Sequence, residues 1–280
     1  MTPAELVAAV KGRAREIRTP CGDGTMVWRA YGAGPHLALL HGGHGAWSHW
    51  IRNVEPLGTR FTVLAADMPG YGDSARPPEP YSAASIAEIV ARGLDEIVPK
   101  GEGHHVAGFS FGGVVGGNVA AIAGARCASL TVVGSNGLGL HRPELEPMGS
   151  WRRLSDPEEI RAVHRRNLGI LMIADKAKID ELAVHIQTTN TARTFVASRP
   201  ISRTGALREG LARLNGTQLN GIWGERDATA GEFLPERERT FQALQPGARF
   251  RVIPGAGHWV AYEAADAFNA TLTDLVTTTP

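Results

Sequence analysis

Cysteine is scarce: Cys21 and Cys127 are the only two among 280 residues. Two thiols cannot make a disulfide framework, and this usage fits a reducing compartment. Excess charge of one sign is missing too. Lys and Arg total 29 against 28 Asp and Glu, a formal net charge of +1. A nucleic-acid binder normally shows a strong basic excess, so that class is set aside. No apolar run approaches the ~18 residues that a membrane span needs. A secretory signal is not expected either, because Lys11, Arg13 and Arg15 follow the first short apolar run instead of preceding it. Internal repeats and low-complexity tracts are absent. Disorder is excluded by the 43% hydrophobic content and near-zero net charge. The expectation is a soluble, cytoplasmic, globular protein.

What is present alternates. Thr2, Pro3 and Glu5 read as a capped helix start. Residues 14–19 and 25–31 flank a Cys-Gly-Asp-Gly turn and read as a hairpin. Short apolar runs follow at 37–40, 61–66, 104–109, 129–133 and 219–223, with a half-exposed strand at 249–253. Such runs suit strands buried on both faces of a parallel sheet. Helical patterns lie between them at 82–98, 111–124, 234–244 and 264–276. Ile86, Ile89, Val90, Leu94 and Ile97 share one helix face, and Pro99 closes that helix. The alternation implies an α/β fold with right-handed crossovers. It breaks at 138–214, where helices are expected at 156–167, 168–174, 176–189 and 204–214. This stretch carries 13 Lys and Arg against 9 Asp and Glu. It reads as a helical insertion, with residues 1–137 and 215–280 forming the core.

The chemistry centres on Gly108-Phe-Ser110-Phe-Gly112. This G-x-S-x-G motif follows an expected strand and opens an expected helix, the context it needs to push a serine hydroxyl out of a sharp turn. A serine hydroxyl needs a base. Among ten histidines, His258 stands in the glycine-rich loop after the last strand, from which it can return to Ser110. Asp227, after the strand ending at Trp223, suits the orienting acid; Glu225 lies too close to the strand end. Asp67 ends a strand as well, in a segment that reads as a structural turn. Two donors for an oxyanion come from the Phe111 N–H and from the 41–45 loop, where Gly43 is the better candidate. His41 and His44 belong to that loop. No histidine pair has metal-binding helical spacing, and no nucleotide-binding loop occurs, so neither metal nor cofactor is expected.

These residues resemble the α/β-hydrolase superfamily, over about 31–137 and 215–276. His41-Gly-Gly, Asp67-Met-Pro-Gly-Tyr-Gly-Asp-Ser, Trp223-Gly-Glu-Arg-Asp227 and Gly257-His-Trp259 resemble in particular the meta-cleavage-product hydrolases and related esterases. The resemblance implies a helical cap at 138–214. It also implies a substrate pocket shaped by Gly42, His44, Trp47, Phe109 and Trp259, with a cap arginine such as Arg193, Arg199 or Arg203 holding a substrate acid. One departure is plain: Phe109 stands where carbon–carbon hydrolases usually have Asn. Ser110 argues against the haloalkane dehalogenases and epoxide hydrolases, which use Asp.

The expected function is hydrolysis of a small carboxylic ester through Ser110, His258 and Asp227. The alternative is carbon–carbon cleavage of a 2-hydroxy-6-oxo-dienoate from aromatic ring fission. A ligand receptor on the same fold is the rival outside enzymology. The expected partner is a small-molecule substrate, without nucleic acid or membrane; a homodimer stays open.

Overall fold

The computed structural model describes residues 1–278. Helix α1 (Pro3–Gly12) starts as its sequence dictates: Thr2 Oγ1 accepts the Glu5 N–H at 3.2 Å, and Glu5 accepts the Thr2 N–H at 2.8 Å. β1 (Arg15–Cys21) and β2 (Gly24–Tyr31) pair antiparallel around Gly22, whose φ of 55° fits the tight turn. β3 (His36–Leu40), β4 (Thr62–Asp67), β5 (His104–Phe109), β6 (Cys127–Val133), β7 (Gln218–Gly224) and β8 (Arg249–Ile253) complete one sheet. Among the described residues its order is β1-β2-β4-β3-β5-β6-β7-β8, parallel from β4 to β8.

Both faces are covered, which is why the central strands are buried along most of their length and rich in apolar residues. One face packs α3 (Ala83–Ile97), α4 (Phe111–Ala123) and α9 (Leu234–Leu244). The other packs α1, α2 (Val54–Gly58), α10 (Val260–Glu263) and α11 (Ala265–Thr277). Trp223 of β7 stacks on Phe250 of β8 at 4.9 Å, and Phe241 of α9 meets Trp223 edge-on at 5.5 Å. No helix among the described residues is long and apolar enough to cross a membrane.

Between β6 and β7 the chain forms α5 (Pro157–Leu171), α6 (Glu181–Ala192), α7 (Ser198–Ser202) and α8 (Ala206–Leu211). The two helices expected at 156–167 and 168–174 are one. Gly169 reads as a break, yet a Cβ there would come within 3.2 Å of Ile179, so the glycine admits a neighbour instead of ending the helix. The helix expected from 176 begins later, where Asp180 accepts the Ala183 N–H at 2.8 Å. α8 packs on the core helix α4: Leu207 and Leu211 are buried with Val114 and Val119, and Asn118 Nδ2 donates to the Ala206 carbonyl at 3.2 Å. By packing, α8 belongs with the core, not with the rest of the insertion.

Parallel strands gather their C-terminal ends on one edge. β3 connects outward to β4 while β5 connects the other way to β6, so a crevice opens between the ends of β3 and β5. That is where ligands bind in open α/β sheets. The loops carrying residues 41–45, 110, 134–136, 225–229 and 254–259 all leave from this edge.

Candidate active site

Ser110 follows β5 directly and precedes α4. Its φ of 51° and ψ of −113° lie outside the regions open to ordinary residues. Such a conformation costs on the order of 1–3 kcal/mol and persists only when the surroundings enforce it. They do so through close backbone contact. A Cβ on Gly108 would lie 2.3 Å from the Gly112 carbonyl, and one on Gly112 would lie 2.2 Å from the Leu40 carbonyl. Only glycine fits either position. The Ser110 N–H donates to the Val133 carbonyl at 2.8 Å, and Ser135 Oγ donates to the Ser110 carbonyl at 2.5 Å. The side chain is thereby held out at the crevice.

His258 Nε2 is 3.1 Å from Ser110 Oγ, and its Nδ1 is 3.0 Å from each Asp227 carboxylate oxygen. The carboxylate fixes the proton on Nδ1 and leaves Nε2 free to accept from the serine. Asp227 is buried and is held in turn by Thr229, whose N–H and hydroxyl donate to Oδ1 at 2.8 and 2.9 Å. Glu225 is exposed and accepts the Gly255 N–H at 2.8 Å, away from the imidazole. Asp67 is the structural carboxylate expected. It is paired with buried Arg29 at 2.8 Å and accepts the Trp47 N–H at 2.8 Å.

The 41–45 loop closes the other side. His41 is buried; its Nδ1–H donates to the Gly42 carbonyl at 2.8 Å while Nε2 accepts the Met68 N–H at 3.0 Å. Burial pushes its pKa down to about 4, so this structural imidazole is neutral. A Cβ on Gly42 would come within 3.3 Å of Ser110 Cβ, and one on Gly43 within 3.8 Å of Phe111 Cβ. Among the described residues, neither the Gly43 nor the Phe111 N–H has an acceptor. Two unused donors therefore flank the serine hydroxyl, one of them in the first turn of α4.

Residues 37–271 match the model of the alpha/beta hydrolase family. The chain belongs to that family. Over 260 residues the chain is 26% identical to the 2-hydroxy-6-oxo-6-phenylhexa-2,4-dienoate hydrolase of Burkholderia cepacia, covering 88% of each. It is 28% identical over 251 residues to the dihydrolipoyllysine-residue acetyltransferase component of the acetoin cleaving system of Cupriavidus necator. That match covers 87% of the chain but 64% of the relative, so the chain spans less than two thirds of that relative's length. Among solved structures, a carboxylesterase from Bacillus subtilis superimposes with a TM-score of 0.71 at 18% identity, covering 98% of both chains. That likeness concerns the fold.

A cavity of about 560 Å³ opens over Ser110 and His258. Gly42, Gly43, His44, Phe109 and Phe111 line it. Phe109 is buried with its ring centroid 5.0 Å from that of His258. Burial, then the charges of Arg199 and Arg152, push the His44 pKa down to about 4. A second hollow shares Gly43, His44, Met148, Met172, Ser198 and Arg199 with the first. It continues between α5 and α6 beside Trp151, His164 and Leu168.

Three expected pocket residues lie elsewhere. Trp47 is buried beside Tyr31 and under the Arg29 guanidinium, 5.3 Å from its ring, because its backbone is tied to Asp67. Trp259 is buried behind His258: its indole N–H donates to the His49 carbonyl at 2.9 Å and its ring stacks on Tyr262 at 4.3 Å. Arg193 pairs with Asp73 at 2.6 Å, on the far side of the 67–74 turn. Burial works against that carboxylate, but Lys11 and Arg29 outweigh it and hold the Asp73 pKa down to about 2. Arg199 and Arg203 do line the cavity, joined by Arg142. Among the described residues none of these three has a carboxylate partner.

Sequence reading missed Thr229, Ser198 and Arg142. Thr229 had a signal, because Asp-x-Thr after a strand allows the threonine to bond back to the carboxylate. Ser198 and Arg142 had none; their place follows from how the 138–214 segment folds back.

Proposed function

We propose that this chain is a serine hydrolase of small carboxylic esters, with the part of the 138–214 segment that precedes α8 serving as its cap. One observation carries the reading: the Ser110–His258–Asp227 hydrogen-bonded series with two unused N–H groups beside it. Ser110 Oγ attacks the carbonyl carbon while its proton passes to His258 Nε2, and the carbonyl π pair moves onto oxygen. Gly43 and Phe111 N–H groups receive that oxyanion. The pair returns, the bond to the alcohol oxygen breaks, and His258 gives the alcohol its proton. Water, activated by the same imidazole, then releases the acid and restores Ser110. Asp227 holds the tautomer and balances the imidazolium.

Arg142, Arg199 and Arg203 favour an ester that carries an acid group away from the scissile bond. The aromatic Phe109 against His258 favours ester over carbon–carbon cleavage. The test compares p-nitrophenyl butyrate, mono-p-nitrophenyl glutarate and a 2-hydroxy-6-oxo-dienoate, with Ser110→Ala as blank. Ester turnover that falls to background in Ser110→Ala, with higher kcat/KM for the glutarate than the butyrate, is expected. Ser110→Ala retaining most of the rate would sink the nucleophile assignment. Fast dienoate cleavage with sluggish esters would move the activity to the carbon–carbon bond.

A further inference from the structure

The segment 193–198 is fastened to the core, not merely laid over it. Arg193 pairs with Asp73, and its carbonyl accepts the Gly72 N–H at 3.2 Å. Thr194 bridges to Tyr71, the Phe195 N–H donates to the Gly70 carbonyl at 2.9 Å, and the Ala197 N–H donates to the Tyr81 hydroxyl at 3.1 Å. Val196 is buried against Gly70, where a Cβ would come within 2.4 Å of it. This strap ends at Ser198. The residue is 3% exposed and lines both hollows over the site.

Its hydroxyl is placed with consequence. A Cβ on Gly43 would lie 2.3 Å from Ser198 Oγ, so this oxygen stands directly over the backbone of the glycine that offers one unused N–H. The second, from Phe111, is on the same corner. The buried Tyr71 hydroxyl nearby donates to the Val196 carbonyl at 3.5 Å, at the end of the same strap. With the Tyr71 hydroxyl directed at Val196, the Ser198 hydroxyl keeps its rotational freedom to turn its proton into the cavity.

We propose that Ser198 is a further catalytic residue, its hydroxyl a third donor to the oxyanion, delivered by the cap strap rather than by the core loops. The inference rests on the reading of Ser110 as nucleophile. It makes the donor set complete only when segment 193–198 is seated on the 70–81 loop. The hydroxyl strengthens its bond as charge develops on the oxygen, so it acts on kcat more than on KM.

The experiment uses the full chain and p-nitrophenyl butyrate, with phenylboronic acid as a mimic that forms a tetrahedral adduct on Ser110. Ser198→Ala is expected to lower kcat about 10- to 100-fold, short of or equal to the loss of a principal donor. KM is expected to stay within about threefold, and the boronate to weaken by about the same factor as kcat. Ser198→Cys, close in size but a weak donor, is expected to behave like Ala and guards against a folding failure. Ser198→Thr keeps the hydroxyl and is expected to retain most of kcat. An unchanged kcat in Ala and Cys, or a rise in KM alone, overturns the proposal. So does an equal loss in Thr. Ser110→Ala run alongside separates the two readings: its loss of activity with a wild-type Ser198→Ala sinks only Ser198, whereas its persistence sinks both.

Discussion

Residues here act through the neighbours that fix them. Ser110 holds a backbone conformation that Gly108 and Gly112 enforce by leaving no room for any other. His258 is aimed by Asp227, and Asp227 by Thr229. Asp227→Asn is expected to lower kcat on the order of 10⁴-fold, since the amide favours the wrong imidazole tautomer. Thr229→Val leaves the backbone donor to Asp227 intact and removes one hydroxyl bond, so a loss of only about tenfold is expected, near the 1–1.5 kcal/mol of one such bond. Steady-state kinetics on p-nitrophenyl butyrate checks both. A Glu225→Gln effect as large as that of Asp227→Asn would reassign the acid. At this scale Ser110, His258 and Asp227 were legible as a set because each follows a strand in a recognisable setting. Arg193 was not. Nothing in the sequence separates it from Arg199, and only the fold shows that Asp73 occupies it.

Elements meet where glycine lets backbones approach. α4 and α8 cross at Gly117 and Gly210, and a Cβ on Gly210 would lie 2.9 Å from the Gly117 carbonyl carbon. Gly210→Val is expected to cost about 1–3 kcal/mol in urea unfolding by pushing α8 off α4. An unchanged midpoint would show that α8 is not part of the core. The β-strands were legible to within a residue or two, because burial on both faces writes continuous apolar runs. The insertion was less so: its helices pack on one another and on the core through few apolar positions, and Gly169 marks a contact, not an end. The strap 193–198 has no periodic pattern at all, since its order comes from single bonds to the 70–81 loop.

The whole molecule buries several neutral histidines. His41 and His104 are pushed down to about 4, and His49 well below its usual value, in each case chiefly by burial. The unfolded chain protonates these rings near pH 6.5, so below that it binds more protons than the folded one. Their contribution is intact above pH 6.5 and is lost as the pH falls toward 4, by up to about 1.4 kcal/mol per pH unit for each ring. The paired carboxylate Asp73 titrates lower, outside this window. Both His104 ring nitrogens lack a partner among the described residues. His104→Leu is therefore expected to flatten the slope between pH 4 and 6.5 and to raise stability at pH 7.5 by about 1 kcal/mol. Urea unfolding of wild type and variant at pH 5 and 7.5 decides it, and parallel slopes would contradict the argument.

Composition, apolar runs and the Gly-x-Ser-x-Gly turn were enough to determine the α/β architecture, the strand positions and the three residues of the hydrogen-bonded series. These are local signals, written by burial and by a backbone turn that few residues allow. Tertiary structure alone decided what surrounds that series. Trp47, Trp259 and Arg193 turned out to be framework, while Ser198, Thr229 and Arg142 reached the site. The reason is physical: a pocket wall is assembled from segments remote in sequence. Whether a side chain faces the cavity or the core depends on partners, such as Asp73 for Arg193, that the local sequence does not contain.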